Sequence, residues 1–145
     1  AVLLHDCGKY INMAQSSACS YNIIMATEII GLSHAEREMV ANVVRFNSSL
    51  FMSYEELAAG SLLDREEYLI IAKLTAILRV ANALDRSHKQ KIKDIKVSMK
   101  GGHTMQILVD TAEDLTLEQA LFREKAEFFE EVYSIRPVLK AKKLL

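Results

Sequence analysis

His5 and Asp6 follow the apolar run Ala1-Val2-Leu3-Leu4, so an imidazole and a carboxylate stand side by side at the end of a helix-forming stretch. Neutral imidazole and ionised carboxylate are both ligands for a divalent cation of the kind that sits over phosphate. Far along the chain a second apolar stretch, Ala76-Ile77-Leu78-Arg79-Val80-Ala81-Asn82-Ala83-Leu84, ends on Asp85, whose carboxylate could reach the same ion. His5, Asp6 and Asp85 are therefore the candidate metal ligands. A His-Asp dipeptide is weak by itself, because a helix-end His commonly bonds a backbone carbonyl. Ion pairs from Asp6 to Arg79, or from Asp85 to Lys9, would equally tie two helices together. Nucleophilic catalysis has no support, since no Ser or Cys stands in an elbow-type glycine turn, and there is no glycine-rich phosphate loop.

A second candidate is electrostatic. Arg86, His88, Lys89, Lys91, Lys93 and Lys96, with Lys140, Lys142 and Lys143 in the tail, form a basic run. Such runs are most often a solvated face, but spaced cations also track a chain of phosphates. Arg86, His88, Lys89 and Lys91 are the candidate polyanion-binding residues.

The elements that must position these groups follow from periodicity and caps. A first helix is predicted from the start to about residue 12, and a second over 18–30, stopped by Gly31. Ser33 with Glu36, and Ser53 with Glu56, are capping boxes. The first opens a helix to about residue 46 and the second a short helix ending at Gly60. Asp64 and Glu67 repeat the signature for the longest helix, reaching Leu84 or Asp85, which is apolar around much of its circumference and is expected to be the central buried one. Beyond Lys91 the period becomes two, over residues 92–99 and 104–109, with Gly101-Gly102 as the turn of a hairpin. Thr116 is expected to cap a further helix to about Tyr133. An edge strand containing Pro137 then follows, since proline cannot donate to a ladder. The fold class is mainly α, a helical bundle over 1–88 followed by a small β-β-α-β appendage over 89–145.

The blocks Leu4-His5-Asp6-Cys7-Gly8-Lys9-Tyr10-Ile11-Asn12, Ser20-Tyr21-Asn22-Ile23-Ile24, Gly31-Leu32-Ser33, Val43-Val44-Arg45-Phe46 and Leu78-Arg79-Val80-Ala81-Asn82-Ala83-Leu84-Asp85-Arg86-Ser87-His88 come in an order and spacing that span nearly the whole chain. Together they resemble the C-terminal region of the exopolyphosphatase and guanosine pentaphosphate phosphatase family. The resemblance implies an HD-domain-like bundle over 1–88, N-terminally incomplete, with a further His ligand from a helix before Ala1. It also implies a catalytic centre in N-terminal actin-like domains, where a carboxylate and Mg²⁺ activate water to release terminal phosphate from polyphosphate or guanosine pentaphosphate. The C-terminal region would grip the polyanion and pair subunits into a homodimer. Where relatives carry histidines after the HD pair, this sequence has Ser17, Cys19 and Asn47, poor or weak ligands, so a two-metal site looks dismantled.

Composition bounds the remaining choices. With 145 residues, half of them apolar, the chain can bury a real core, and a net charge of −1 gives no global case for nucleic acid or a membrane surface. Cys7 and Cys19 follow no disulfide or zinc spacing, which makes a reducing cytoplasm the expected compartment. The chain opens inside an apolar run without Met or cap, as expected for a piece of a longer protein. Three readings remain open. The chain is the binding and dimerising C-terminal domain of an exopolyphosphatase-like hydrolase, inactive by itself; or a stand-alone metal-dependent HD phosphohydrolase acting on nucleotides; or a non-catalytic regulatory module that senses an anion.

Overall fold

The computed structural model describes residues 1–143. Its element order is two short 3₁₀ turns, Val2–Leu4 and Cys7–Tyr10, then α1 (Ser16–Ala26), α2 (His34–Ser48), α3 (Tyr54–Ala58), α4 (Arg65–Ala83), β1 (Asp94–Lys100), β2 (Thr104–Thr111), α5 (Thr116–Tyr133) and β3 (Arg136–Lys143). The fold is mainly α with a small β-β-α-β appendage, as the sequence predicts. The two compact units are Ala1–Leu78 and Arg79–Leu145, so α4 runs from the first into the second; the expected division fell after His88.

In the first unit the predicted first helix is broken into the two 3₁₀ turns. Gly8 explains why. Its buried amide donates to Ser20 Oγ at 2.8 Å, and a Cβ there would strike the Ser16 carbonyl and the Ser20 amide, so α1 lies directly on this backbone. The capping boxes form as read. Ser33 Oγ accepts from the Glu36 amide at 3.2 Å while the Glu36 carboxylate accepts from the Ser33 amide at 2.7 Å, and Ser53 with Glu56 repeats the geometry before α3. Asp64 and Glu67 do the same for α4. The core packs Val43, Phe46, Leu57, Leu63, Ile71 and Leu78 together, and Phe51 joins Phe46 to Tyr68 through ring contacts of 4.9 and 5.6 Å. Ile24, Ala41 and Val44 form a second cluster between α1 and α2. α4 is not the wholly buried helix expected: Ile71, Ala72, Thr75, Ala76 and Leu78 are buried, but Leu69, Ile70, Leu74 and Ile77 are exposed. Its apolar circumference is wider than the surface its own unit covers.

In the second unit β2 is the central strand, antiparallel to β1 and parallel to β3. Gly101 and Gly102, both at positive φ, make the hairpin turn. Ile107, Val109 and Thr111 alternate inward from β2, and α5 packs against β3 with Phe122, Ala126 and Phe129 buried. Phe122 and Phe129 are core, with Phe129 stacked on Tyr133 at 4.6 Å. Thr116 does not cap α5. Asp114 accepts from the Thr116 amide and hydroxyl instead, at 3.2 and 2.7 Å, and Glu118 turns inward. β3 is the expected edge strand, with Pro137 opposite Met105.

Candidate functional site

The first unit holds His5 and Asp6 in the link between the two 3₁₀ turns, kept beside α1 by the close approach of Gly8. His5 Nδ1 donates to the Val2 carbonyl at 2.7 Å, which leaves Nε2, 3.6 Å from Asp6 Oδ2, as the free ring nitrogen. A ligating His is commonly held in this way, with one ring nitrogen donating to a backbone carbonyl and the other left open. Asp6 Oδ2, however, accepts from the Lys9 ammonium at 2.7 Å, so a cation of the chain itself already stands on the carboxylate. Among the described residues, no three His, Cys, Asp or Glu side chains are grouped so that they could hold a metal ion. Ser17 and Cys19 sit on α1, and Cys19 is a free, half-buried thiol. Within this unit the corner offers an imidazole nitrogen and a carboxylate already held by the Lys9 ammonium.

The same unit also carries a buried polar set that sequence reading missed. Glu38, Asn42 and Asn47 on α2 are buried, and the side-chain carbonyls of Asn42 and Asn47 have no hydrogen-bond partner among the described residues. Burial, then the Glu38 carboxylate, raises the Tyr21 phenol above its ordinary pKa, against the Arg45 guanidinium 5.5 Å from its ring. The i, i+4 step from Glu38 to Asn42 was visible, but only packing against α1 makes that face of α2 an interior one.

The second unit holds the basic loop. Asp85, just beyond α4, accepts from the Gln90 amide through Oδ1 at 2.9 Å, and its carbonyl accepts from the His88 amide at 3.0 Å. Its role in this unit is to fold the loop back on itself. His88 and Gln90 both adopt positive φ, a conformation non-glycine residues hold only when their surroundings enforce it. The enforcing group is Glu118. Its fully buried carboxylate accepts from the Ser87 amide at 3.2 Å and from the Lys91 ammonium at 3.1 Å, and Lys91 also donates to the Asp114 carbonyl at 2.8 Å. Burial works to raise the Glu118 pKa, but donors from Ser87, its own amide and Lys91 outweigh burial and hold the carboxyl at about 2. Thr111 completes the anchor by donating from Oγ1 to the Lys91 carbonyl at 2.8 Å.

The loop thus divides the four polyanion candidates. Lys91 points inward, into the anchor, whereas Arg86, His88 and Lys89 are exposed on the turn it supports. In the first unit Asp6 pairs with Lys9, and in the second the Arg79 guanidinium lies 4.5 Å from the Phe128 ring centroid.

The described residues form a mainly helical unit with a His-Asp corner and a β-β-α-β unit with a basic loop held by a buried carboxylate. The family model for Ppx/GppA phosphatase, domain III, matches residues 1–127, and the chain belongs to that family. No curated protein matches it significantly. No helix among the described residues is long and apolar enough to cross a membrane.

Proposed function

We propose that this chain is the C-terminal part of a cytoplasmic exopolyphosphatase-like phosphohydrolase that releases terminal phosphate from polyphosphate or guanosine pentaphosphate. In this reading it serves binding and self-association, while hydrolysis, with Mg²⁺ and an activated water, belongs to actin-like domains of the same protein. The observation that carries the binding role is the loop over residues 85–91. Arg86, His88 and Lys89 project from a turn whose backbone is fixed by Asp85, Lys91 and the buried Glu118 carboxylate. Fixing the backbone first means that a polyanion orders only three side chains when it binds. Family membership supports the substrate class, since a string of phosphates is the ligand for which spaced cations are suited.

The test is retention of this chain on immobilised polyphosphate as a function of salt. Arg86→Ala and Lys89→Ala should each weaken retention and lower the steepness of its salt dependence by about one phosphate contact. Retention in both variants equal to that of the parent chain, or retention independent of salt, refutes the binding role. Hydrolysis of polyphosphate by the chain alone, without actin-like domains, refutes the division of labour. A stand-alone HD phosphohydrolase would instead bind a divalent ion through His5, Asp6 and Asp85 and lose it in Asp6→Ala; the Lys9 ammonium on Asp6 favours the first reading.

A further inference from the structure

β1 is an edge of the three-stranded sheet, and all seven of its residues are exposed. One of its faces is nonetheless apolar. Ile95, Val97 and Met99 stand opposite Val109, Ile107 and Met105 on β2, so they continue the face on which Ile107 and Val109 are buried. They remain 44, 60 and 51% exposed, because α5 packs against β3, at the other edge of the sheet. A flat strand edge with an apolar face is a template for pairing unless something blocks it. The opposite edge is blocked: β3 carries Pro137, which has no amide to donate, and exposed Lys140 and Lys142. β1 has neither proline nor glycine from Asp94 to Lys100.

We infer that two copies of this chain pair through β1, antiparallel about a two-fold axis at Val97, into one continuous six-stranded sheet. The charges select both the occupant and the register. Opposed residues must lie on the same face of a continuous sheet, so the axis must pass through a residue rather than between two. With the axis at Val97, Asp94 faces Lys100 of the second copy at both ends, Ile95 faces Met99 and Lys96 faces Ser98. Moving the axis to Lys96 sets that lysine against itself, and moving it to Ser98 sets Lys96 against Lys100 twice. Like charges directly opposed on neighbouring strands are destabilising, so the register at Val97 is the favoured one. Asp94 points the same way. Within its own sheet it stands opposite Asp110, an unfavourable pair that a lysine across the open edge would offset. The apolar stripes of the two copies meet along the same seam, which gives the exposed side of β1 a use.

The inference rests on the self-association proposed above and assigns it a surface. Sedimentation equilibrium of this chain tests it with Asp94→Lys, Lys100→Asp and the double exchange. Each single variant sets like charges together at both ends and should raise the dissociation constant about tenfold or more. The double exchange restores opposite charges and should return to within about threefold of the parent. Asp94→Lys removes the Asp94–Asp110 repulsion and Lys100 stands opposite Thr104, so neither variant harms the monomer fold, which circular dichroism checks. A second readout uses Val97→Cys with Cys7→Ser and Cys19→Ser. A cysteine on the axis meets its own copy at disulfide distance, whereas Ile95→Cys lies about 13 Å from its counterpart and should not cross-link. The inference is overturned if the chain stays monomeric at about 1 mM, the weak end of the affinity scale, or if the double exchange fails to rescue. It is overturned equally if position 95 cross-links as readily as 97. Loss of pairing with polyphosphate retention intact sinks this inference alone; loss of retention with pairing intact sinks only the binding role.

Discussion

Replacing Glu118 by Gln tests whether the buried carboxylate organises the basic loop. Its pKa of about 2 lies below the ordinary 4.5, so the folded state binds the carboxylate form more favourably than the unfolded state does. Stability from this group is therefore complete above about pH 5 and is lost as pH falls through 4.5 toward 2. At about 1.4 kcal/mol for each pH unit of displacement, it is worth about 3 kcal/mol at neutral pH. Glu118→Gln keeps an acceptor for the Ser87 amide but leaves the Lys91 ammonium without its anion. Lys91, 17% exposed, retains the Asp114 carbonyl, which places the loss at the lower end of the range for a broken buried pair. Urea denaturation followed by circular dichroism should give a loss of about 2 to 3 kcal/mol at pH 7 that shrinks toward zero near pH 2.5. Thermal midpoints should fall by roughly 10 °C at pH 7. A loss below about 0.5 kcal/mol, the level of an ordinary surface change, or a loss of the same size at both pH values, would refute the reasoning.

Two further perturbations probe the first unit. Gly8→Ala drives a methyl into the α1 backbone, with the Ser20 amide at 2.5 Å, and should destabilise by about 2 to 4 kcal/mol in the same denaturation experiment; a change under about 1 kcal/mol would mean that α1 is not packed as described. Asp6→Asn removes one partner of a half-exposed pair with Lys9 and should cost less than about 1 kcal/mol, with no change in the thermal midpoint on adding Mg²⁺ or Mn²⁺ to the parent chain. A midpoint that rises with metal in the parent and not in Asp6→Asn would restore His5 and Asp6 as ligands.

The sequence by itself determined whatever depends on near neighbours. The boxes at Ser33, Ser53 and Asp64 formed because both partners lie within one turn, and the hairpin formed because Gly101-Gly102 adopts positive φ without steric penalty. The HD pair, the basic run and the family were likewise legible as ordered blocks. Tertiary structure decided the rest. Thr116 looked like a cap, yet Asp114 accepts from its amide and hydroxyl, while Glu118 lies 31 positions from the Ser87 amide it accepts from, a pairing no local pattern encodes. The first helix was expected to run to about residue 12, but the chain forms two 3₁₀ turns, and the backbone of α1 lies so close to Gly8 that a Cβ there would clash. Glu38 and Asn42, polar by type, are buried in the fold, which no pattern in the sequence announced. Short-range hydrogen bonds are written in residue order, whereas which side of an element is buried, and which charge meets which, depends on segments brought together only when the chain has folded.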